Sequence, residues 1–183
     1  MGTIGKDFQY KLIKNFLSED EIKLLNTYCD IKHRTNVNDF DIDFNKNGDT
    51  MFYGDPVMES LLLSKQELVE KETNKKLLPT YGFWRMYTKY ADLKEHIDRP
   101  SCEISVTVSI GNDGVEWPIN MNEEPVNIPI GDAVVYLGNA LKHSRGEFKG
   151  DWHAQTFLHY VDAEGPFTDN HKDKRSYFGI DKK

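Results

Sequence analysis

The spacing of apolar residues changes from helical to β-rich near residue 77, and no other feature constrains the fold as strongly. Before that point two segments repeat apolar residues at helical spacing. Ser18 stands as a helix N-cap with Glu21 three residues on as its capping-box partner. Ile22, Leu25 and Cys29 follow on one face, so the first helix is expected from about Glu19 to about Asp30. Asp55-Pro56 repeats the start signal, an acid at the N-cap and proline at the first helical position. Met58, Leu61, Leu62 and Val69 then form a stripe that should end near Lys75-Lys76. Phe8 to Ile13 alternates and reads as a strand ahead of both helices.

From Leu77 onward the helical period gives way to short β-rich runs: Tyr81 to Tyr87, Glu103 to Ile110, Val126 to Ile130, Ala133 to Leu137 and Ala154 to Val161. Gly, Pro, Asn and Asp separate them at turns. Helices followed by a succession of strands, with no internal repeat, is an α+β order in which the helices pack on an all-β unit. Two segments stand outside this pattern. Asn36 to Asp55 is polar, and its Asp43-Phe44-Asn45-Lys46-Asn47-Gly48 order imitates half a calcium loop. The twelfth position, where a calcium loop needs a bidentate acid, is Gly54, so the segment reads instead as a mobile surface loop near a cleft. Asp169 to Lys183 is highly charged and reads as a peripheral tail, ordered only if Tyr177 and Phe178 dock.

At 183 residues the chain suits one domain that needs no disulfide staples. Cys29 and Cys102 are far apart and lack zinc-type spacing, which points to a reducing, cytoplasmic setting. A net charge of −7 and the lack of a basic run argue against nucleic acid as partner. No apolar stretch approaches the roughly 20 residues of a membrane span, and the first residues lack the apolar core of a signal peptide. No Gly-x-Ser-x-Gly elbow, Rossmann fingerprint or P-loop is present.

His96-Ile97-Asp98 places an imidazole and a carboxylate two residues apart, which in an extended segment points both to one face. With one further imidazole such a pair makes the facial triad of non-haem iron(II) sites. His143, beyond the Gly131-Asp132 turn, is the preferred third ligand, and His153 is its rival. Arg85 shares a strand face with Tyr87 and either lines a cleft or forms a surface ion pair. Trp117-Pro118 reads as a packed turn, Cys102 as a small buried hydrophobe, and His159 as a core histidine or a site residue.

The ordered set Tyr87-x-x-Tyr90-x-x-Leu93-x-x-His96-x-Asp98, Cys102-Glu103-Ile104-Ser105-Val106, Gly131-Asp132-Ala133-Val134-Val135-Tyr136, His143-x-Arg145 and Gln155-x-Phe157-Leu158-His159-Tyr160 resembles the Fe(II)/2-oxoglutarate dioxygenases. Within them it is most similar to small prolyl 4-hydroxylase-like members of bacteria and viruses. The resemblance implies a double-stranded β-helix, a cupin-like jelly roll, as the barrel core of about 81–166, with residues 1–80 as helical support and 169–183 as the tail. It further implies iron(II) on His96, Asp98 and His143, with 2-oxoglutarate and O2 as cosubstrates and ascorbate as an auxiliary reductant. Hydroxylation of a C–H bond would follow, in a prolyl peptide, a protein or a small molecule, in the cytoplasm or a host's cytoplasm for a viral member. Tyr87 matches the family tyrosine that hydrogen-bonds the far carboxylate of 2-oxoglutarate. The family's cation for that carboxylate falls at Trp152 and His153 here, so a protonated His153 or the permanently charged Arg145 is left to supply it. Loss of that anchor would instead leave a non-catalytic, cupin-like metal-binding or interaction protein.

Overall fold

The computed structural model describes residues 10–36 and 48–179. Among the described residues, ten strands form two antiparallel sheets, and two α-helices lie at the amino-terminal side of the sequence. The six-stranded sheet has the order β1 (Tyr10–Ile13), β8 (Ala133–Tyr136), β5 (Ile104–Asn112), β10 (Trp152–Asp162), β3 (Leu77–Thr88) and β2 (Thr50–Tyr53). The four-stranded sheet has the order β4 (Leu93–His96), β9 (His143–Arg145), β6 (Ile119–Met121) and β7 (Glu124–Val126).

Both helix starts follow their capping chemistry. At α1 (Glu19–Asn36) the Ser18 amide donates to Glu21 Oε2 at 2.7 Å and the Glu21 amide donates to Ser18 Oγ at 3.3 Å. At α2 (Pro56–Thr73) the Asp55 carboxylate accepts from the amides of Val57 and Met58, and Asn74 closes the helix in the left-handed conformation. The first helix runs six residues past its expected end at Asp30, because its apolar stripe ends there but nothing breaks the backbone ladder. Val126 to Ile130 is not a strand beyond Val126. Pro129 lacks the amide that a ladder needs, and Val126 ends β7, which is joined to β6 by a hairpin turning through Asn122 and Glu123, both at positive φ.

The polar segment before α2 also differs from a surface loop over its described part, residues 48–55. Thr50–Tyr53 pairs with β3, and Asp49 is fully buried, where it accepts from Arg85 and from the amide and hydroxyl of Thr88. The Asp43–Asn47 part of the calcium-like run lies outside the described residues. The charged tail is not peripheral over its described part: Asp173 and Arg175 are buried, and Phe178 packs against the core while Tyr177 stays 72% exposed. Ion pairs with Arg99 and Glu59 compensate the two buried charges, and composition alone does not reveal that.

The two faces of the long sheet divide the labour. On β5, Ile104, Val106, Val108 and Ile110 point to the core that includes Met58 and Leu62 of α2, and each such side chain contributes about 1.5–3 kcal/mol by leaving water. Gly82 lets α2 sit close on β3, since a Cβ there would meet the Met58 backbone at 3.1 Å. Ser105, Thr107 and Ser109 occupy the alternate positions of β5 and are equally buried, so they face into the barrel between the sheets. The register puts Tyr81 opposite His159, Phe83 opposite Phe157, Arg85 opposite Gln155 and Tyr87 opposite His153 on that same interior face.

Candidate metal centre

His96 ends β4 and His143 begins β9, and the two are direct partners in the short sheet. Asp98 lies just beyond β4, held by its amide to the Gly138 carbonyl at 2.7 Å. The Asp98 Oδ1 stands 3.4 Å from His96 Nε2 and 3.5 Å from His143 Nε2. These three donors lie within 4.8 Å of one another, a spacing that could hold one metal ion. His153, the rival third ligand, is elsewhere, between the rings of Trp117 and Phe148.

The tautomers suit ligation. His96 Nδ1 is 2.8 Å from the Lys94 carbonyl and His143 Nδ1 is 3.0 Å from that of Leu141. A carbonyl only accepts, so each Nδ1 carries a proton, and Nε2 is the nitrogen that a neutral ring would offer to a cation. Burial pushes the Asp98 carboxyl up, but His143 and His96 outweigh it and hold the group well below the usual carboxylate range. The contact with Asp98 in turn raises His96. Asp98 Oδ2 accepts from the Ser105 hydroxyl at 3.1 Å, and His159 Nδ1 lies 3.0 Å from the same hydroxyl. Burial drives His159 down to about 4, so it is neutral near pH 7; because the Ser105 hydroxyl gives its proton to Asp98, His159 Nδ1 is the donor to Ser105 Oγ. Gly138 makes this approach possible: a Cβ there would fall 2.5 Å from Asp98 Oδ2 and 2.4 Å from the Cys102 carbonyl.

The three donors open onto a cavity of about 170 Å³ lined by Tyr81, Phe83, Arg85, Tyr87, Tyr136 and Phe157 among others. Arg85 both lines this cavity and pairs with Asp49, and its guanidinium lies 4.3 Å over the Tyr87 ring. Deeper in the barrel stands Arg145, two residues after His143 on β9 and so on the same face. It is 3% exposed; its Nη1 donates to the Trp117 carbonyl, while Nε and Nη2 find no hydrogen-bond partner among the described residues. Burial lowers the guanidinium to about 10, with Tyr87 and Tyr136 opposing, so it is charged at neutral pH. Burial and the neighbouring Arg145 push His153 down to about 3, which makes it a neutral imidazole and leaves Arg145 as the cation of the two. Both ring nitrogens of His153, the Gln155 amide and Ser109 Oγ are likewise buried without a partner among the described residues.

Trp117 is part of this interior and not of the cavity rim. It packs edge-on to Tyr87 at 4.8 Å, against Phe148 at 4.9 Å and under Arg145 at 4.8 Å, with Nε1 donating to the Gly146 carbonyl at 2.7 Å. Cys29 and Cys102 are free and buried, and Cys102 Sγ touches the Tyr81 hydroxyl at 3.1 Å. Ser109 went unmarked in the sequence, and Ser105 and Gln155 stood there as motif members with no role assigned. The signal that places all three inside is the alternation of β5 and β10, which aims their polar positions inward once both faces are known to be covered.

No family model matches the sequence, and no curated protein matches it. Solved structures do. A viral collagen prolyl hydroxylase from Paramecium bursaria chlorella virus 1, in complex with 2-oxoglutarate, superposes with a TM-score of 0.64 at 12% identity over 86% of this chain and 97% of that one. A prolyl 4-hydroxylase from Pseudomonas putida gives 0.61 at 15% identity over 84% and 92%. HygX from Streptomyces hygroscopicus, with nickel and 2-oxoglutarate bound, gives 0.64 at 13% over 85% and 83%. The chain has the α+β, double-stranded β-helix fold found in 2-oxoglutarate- and iron-dependent oxygenases.

Proposed function

We propose that this chain is an Fe(II)- and 2-oxoglutarate-dependent dioxygenase that hydroxylates a C–H bond, with a prolyl residue of a peptide or protein as substrate. The observation that carries the reading is the pairing, on one strand, of His143 in a three-donor group with a buried Arg145 whose Nε and Nη2 have no partner among the described residues. A buried cation with free donors fits a carboxylate, because an unpaired charge inside a protein is costly and a guanidinium grips a carboxylate through two parallel bonds.

In this reading His96, Asp98 and His143 hold the iron, and their ligand set leaves room for the cosubstrates. Bound iron with 2-oxoglutarate supplies an oxidant for an unactivated C–H bond, with succinate and carbon dioxide as coproducts. The chain's own residues bind and aim. The carbonyls of Lys94 and Leu141 hold the Nδ1 protons, so each imidazole would present Nε2 to the ion. Arg145 pairs with the far carboxylate of 2-oxoglutarate, Tyr87 donates its hydroxyl to the same group, and His153 adds a neutral hydrogen-bonding edge. Trp117 and Phe148 wall this end and exclude water. Tyr81, Phe83 and Phe157 offer aromatic faces to an apolar ring such as that of proline. The two prolyl hydroxylase likenesses support that choice of substrate.

The test is an anaerobic titration with iron(II) and 2-oxoglutarate, read by the weak visible charge-transfer band of the chelate, then oxygen and a succinate assay with a proline-rich peptide. A band and peptide-stimulated succinate release are expected. Intact protein that gives no band overturns the oxygenase reading in favour of a non-catalytic module, and a band without stimulation overturns only the prolyl substrate.

A further inference from the structure

Asp98 belongs to no strand. It sits in the link between β4 and the 3-10 turn Pro100–Cys102, and the next residue, Arg99, leaves that link on its outer side. Asp173 receives it: Arg99 Nη1 donates to Oδ1 at 2.7 Å and Nη2 to Oδ2 at 2.8 Å. Ser101 Oγ, in the 3-10 turn that follows the link, donates to Asp173 Oδ1 at 2.7 Å, and the Tyr53 hydroxyl donates to Oδ2 at 2.5 Å. Asp173 is fully buried although it lies in the carboxy-terminal segment, more than seventy residues from the link.

The backbone there is strained. Lys172, Asp173 and Lys174 take φ of 54°, 53° and 63°, three consecutive non-glycine residues in the left-handed region. Such conformations persist only where surrounding contacts over-determine them. The contacts are present: Arg175 pairs with Glu59 of α2 in a buried ion pair and donates to the Thr80 carbonyl at 3.1 Å, and the Gly179 amide donates to Glu59. From the clamp inward the contacts are continuous. The Arg99 guanidinium lies 4.6 Å over the Tyr81 ring, Tyr81 packs on His159 at 4.5 Å, and His159 meets the Ser105 hydroxyl that donates to Asp98.

We infer that Asp173 is a positioning residue for the metal ligand Asp98, and that the segment from Thr168 to Gly179 is a strap whose strained turn holds the ligand-bearing link in register. The inference rests on the metal reading above. Asp173 touches neither metal nor substrate; it acts through Arg99 and Ser101, which flank Pro100 where the link enters the 3-10 turn. Outer partners of metal ligands typically change affinity by about 10–100-fold when removed.

The experiment is cobalt(II) titration of the full chain, followed by the visible absorption of the bound ion, for wild type, Asp173→Ala, Arg99→Lys and Val69→Ala. Val69 is a fully buried α2 core residue outside the strap and the ligand link, so its variant reports what lost stability alone does to affinity. Expected are a 10–100-fold weaker site in Asp173→Ala, a smaller loss in Arg99→Lys, and no change in Val69→Ala. If Asp173→Ala does not fold, Arg99→Lys carries the test, because it leaves Tyr53, Ser101 and the Glu59–Arg175 pair in place. Wild-type affinity in the folded strap variants, or an equal loss in Val69→Ala, overturns the positioning role. A wild-type chain that binds no cobalt overturns the metal reading itself.

Discussion

His143 and Arg145 leave the same strand on the same face, yet the two ends of the barrel interior they serve are opposites. At the His143 end each imidazole already gives its proton to a carbonyl, and Asp98 is flanked by both rings and by Ser105. At the Arg145 end a charged guanidinium, a neutral imidazole and an amide lie buried among Trp117, Tyr87 and Phe148 with donors and acceptors unmatched by described residues. At one end the polar groups are paired by the protein; at the other, buried polar groups lack partners among the described residues, which costs stability and is what the proposed carboxylate partner would relieve.

Substitutions should separate the ends, and the largest effect is expected at the first. Asp98→Ala should abolish metal binding and succinate formation, measured by equilibrium metal titration; retained binding would show that the three donors do not act together. Arg145→Leu should break the contrast at the second end. Metal affinity should persist, the 2-oxoglutarate affinity should fall by about a hundredfold or more, as expected for losing a buried bidentate pair, and the ligand-free protein should gain on the order of 1–3 kcal/mol as an unsatisfied charge disappears. Denaturant melts of both proteins check the last point, and a destabilised variant would show that Arg145 is already compensated.

Gly138→Ala comes next. Its Cβ would fall on Asp98 Oδ2, the Cys102 carbonyl and Ser105 Oγ at 2.4–2.5 Å, so a loss of about 1–3 kcal/mol and a weakened metal site are expected together. Loss of stability with unchanged metal affinity would show that Asp98 adjusts freely. The smallest effect is in pH dependence. Burial holds His153 near 3 and His159 near 4, below the 6.5 of an unfolded histidine. The unfolded chain therefore binds more protons between about pH 6.5 and 4, and stability is lost as pH falls through that window at about 1.4 kcal/mol per unit for each group. His96 acts oppositely: its raised value gives stability present below 6.5 that is lost as pH rises through the folded value. His153→Leu should remove one of the two destabilising slopes, seen as a flatter stability curve over pH 4 to 6.5. An unchanged curve would place the proton elsewhere.

The helix starts were legible because capping is local: Ser18 with Glu21 and Asp55 with Pro56 need only their neighbours. His96 and Asp98 were legible as a spacing, since two residues in an extended chain share a side whatever surrounds them. The strands of the short sheet were not. Three or four residues such as His143–Arg145 carry too little pattern, and they pair only because the long sheet holds their ends opposite one another. The polar segment around Asp49 and the charged tail were misread for one reason. Composition assigns charges to water, and only a partner distant in sequence, Arg85 for Asp49 and Arg99 for Asp173, makes their burial affordable.

By itself, then, the sequence determined the order of helices and strands, the caps, and the His96–Asp98 spacing, all consequences of short-range geometry. The tertiary structure alone decided that His143 and not His153 joins His96 and Asp98 in the three-donor group, that Arg145 and not His153 is the interior cation, and that Asp173 of the tail pairs with Arg99 beside Asp98. Each of those depends on which strands pair and on what is left buried without water, and neither quantity exists until the chain closes on itself.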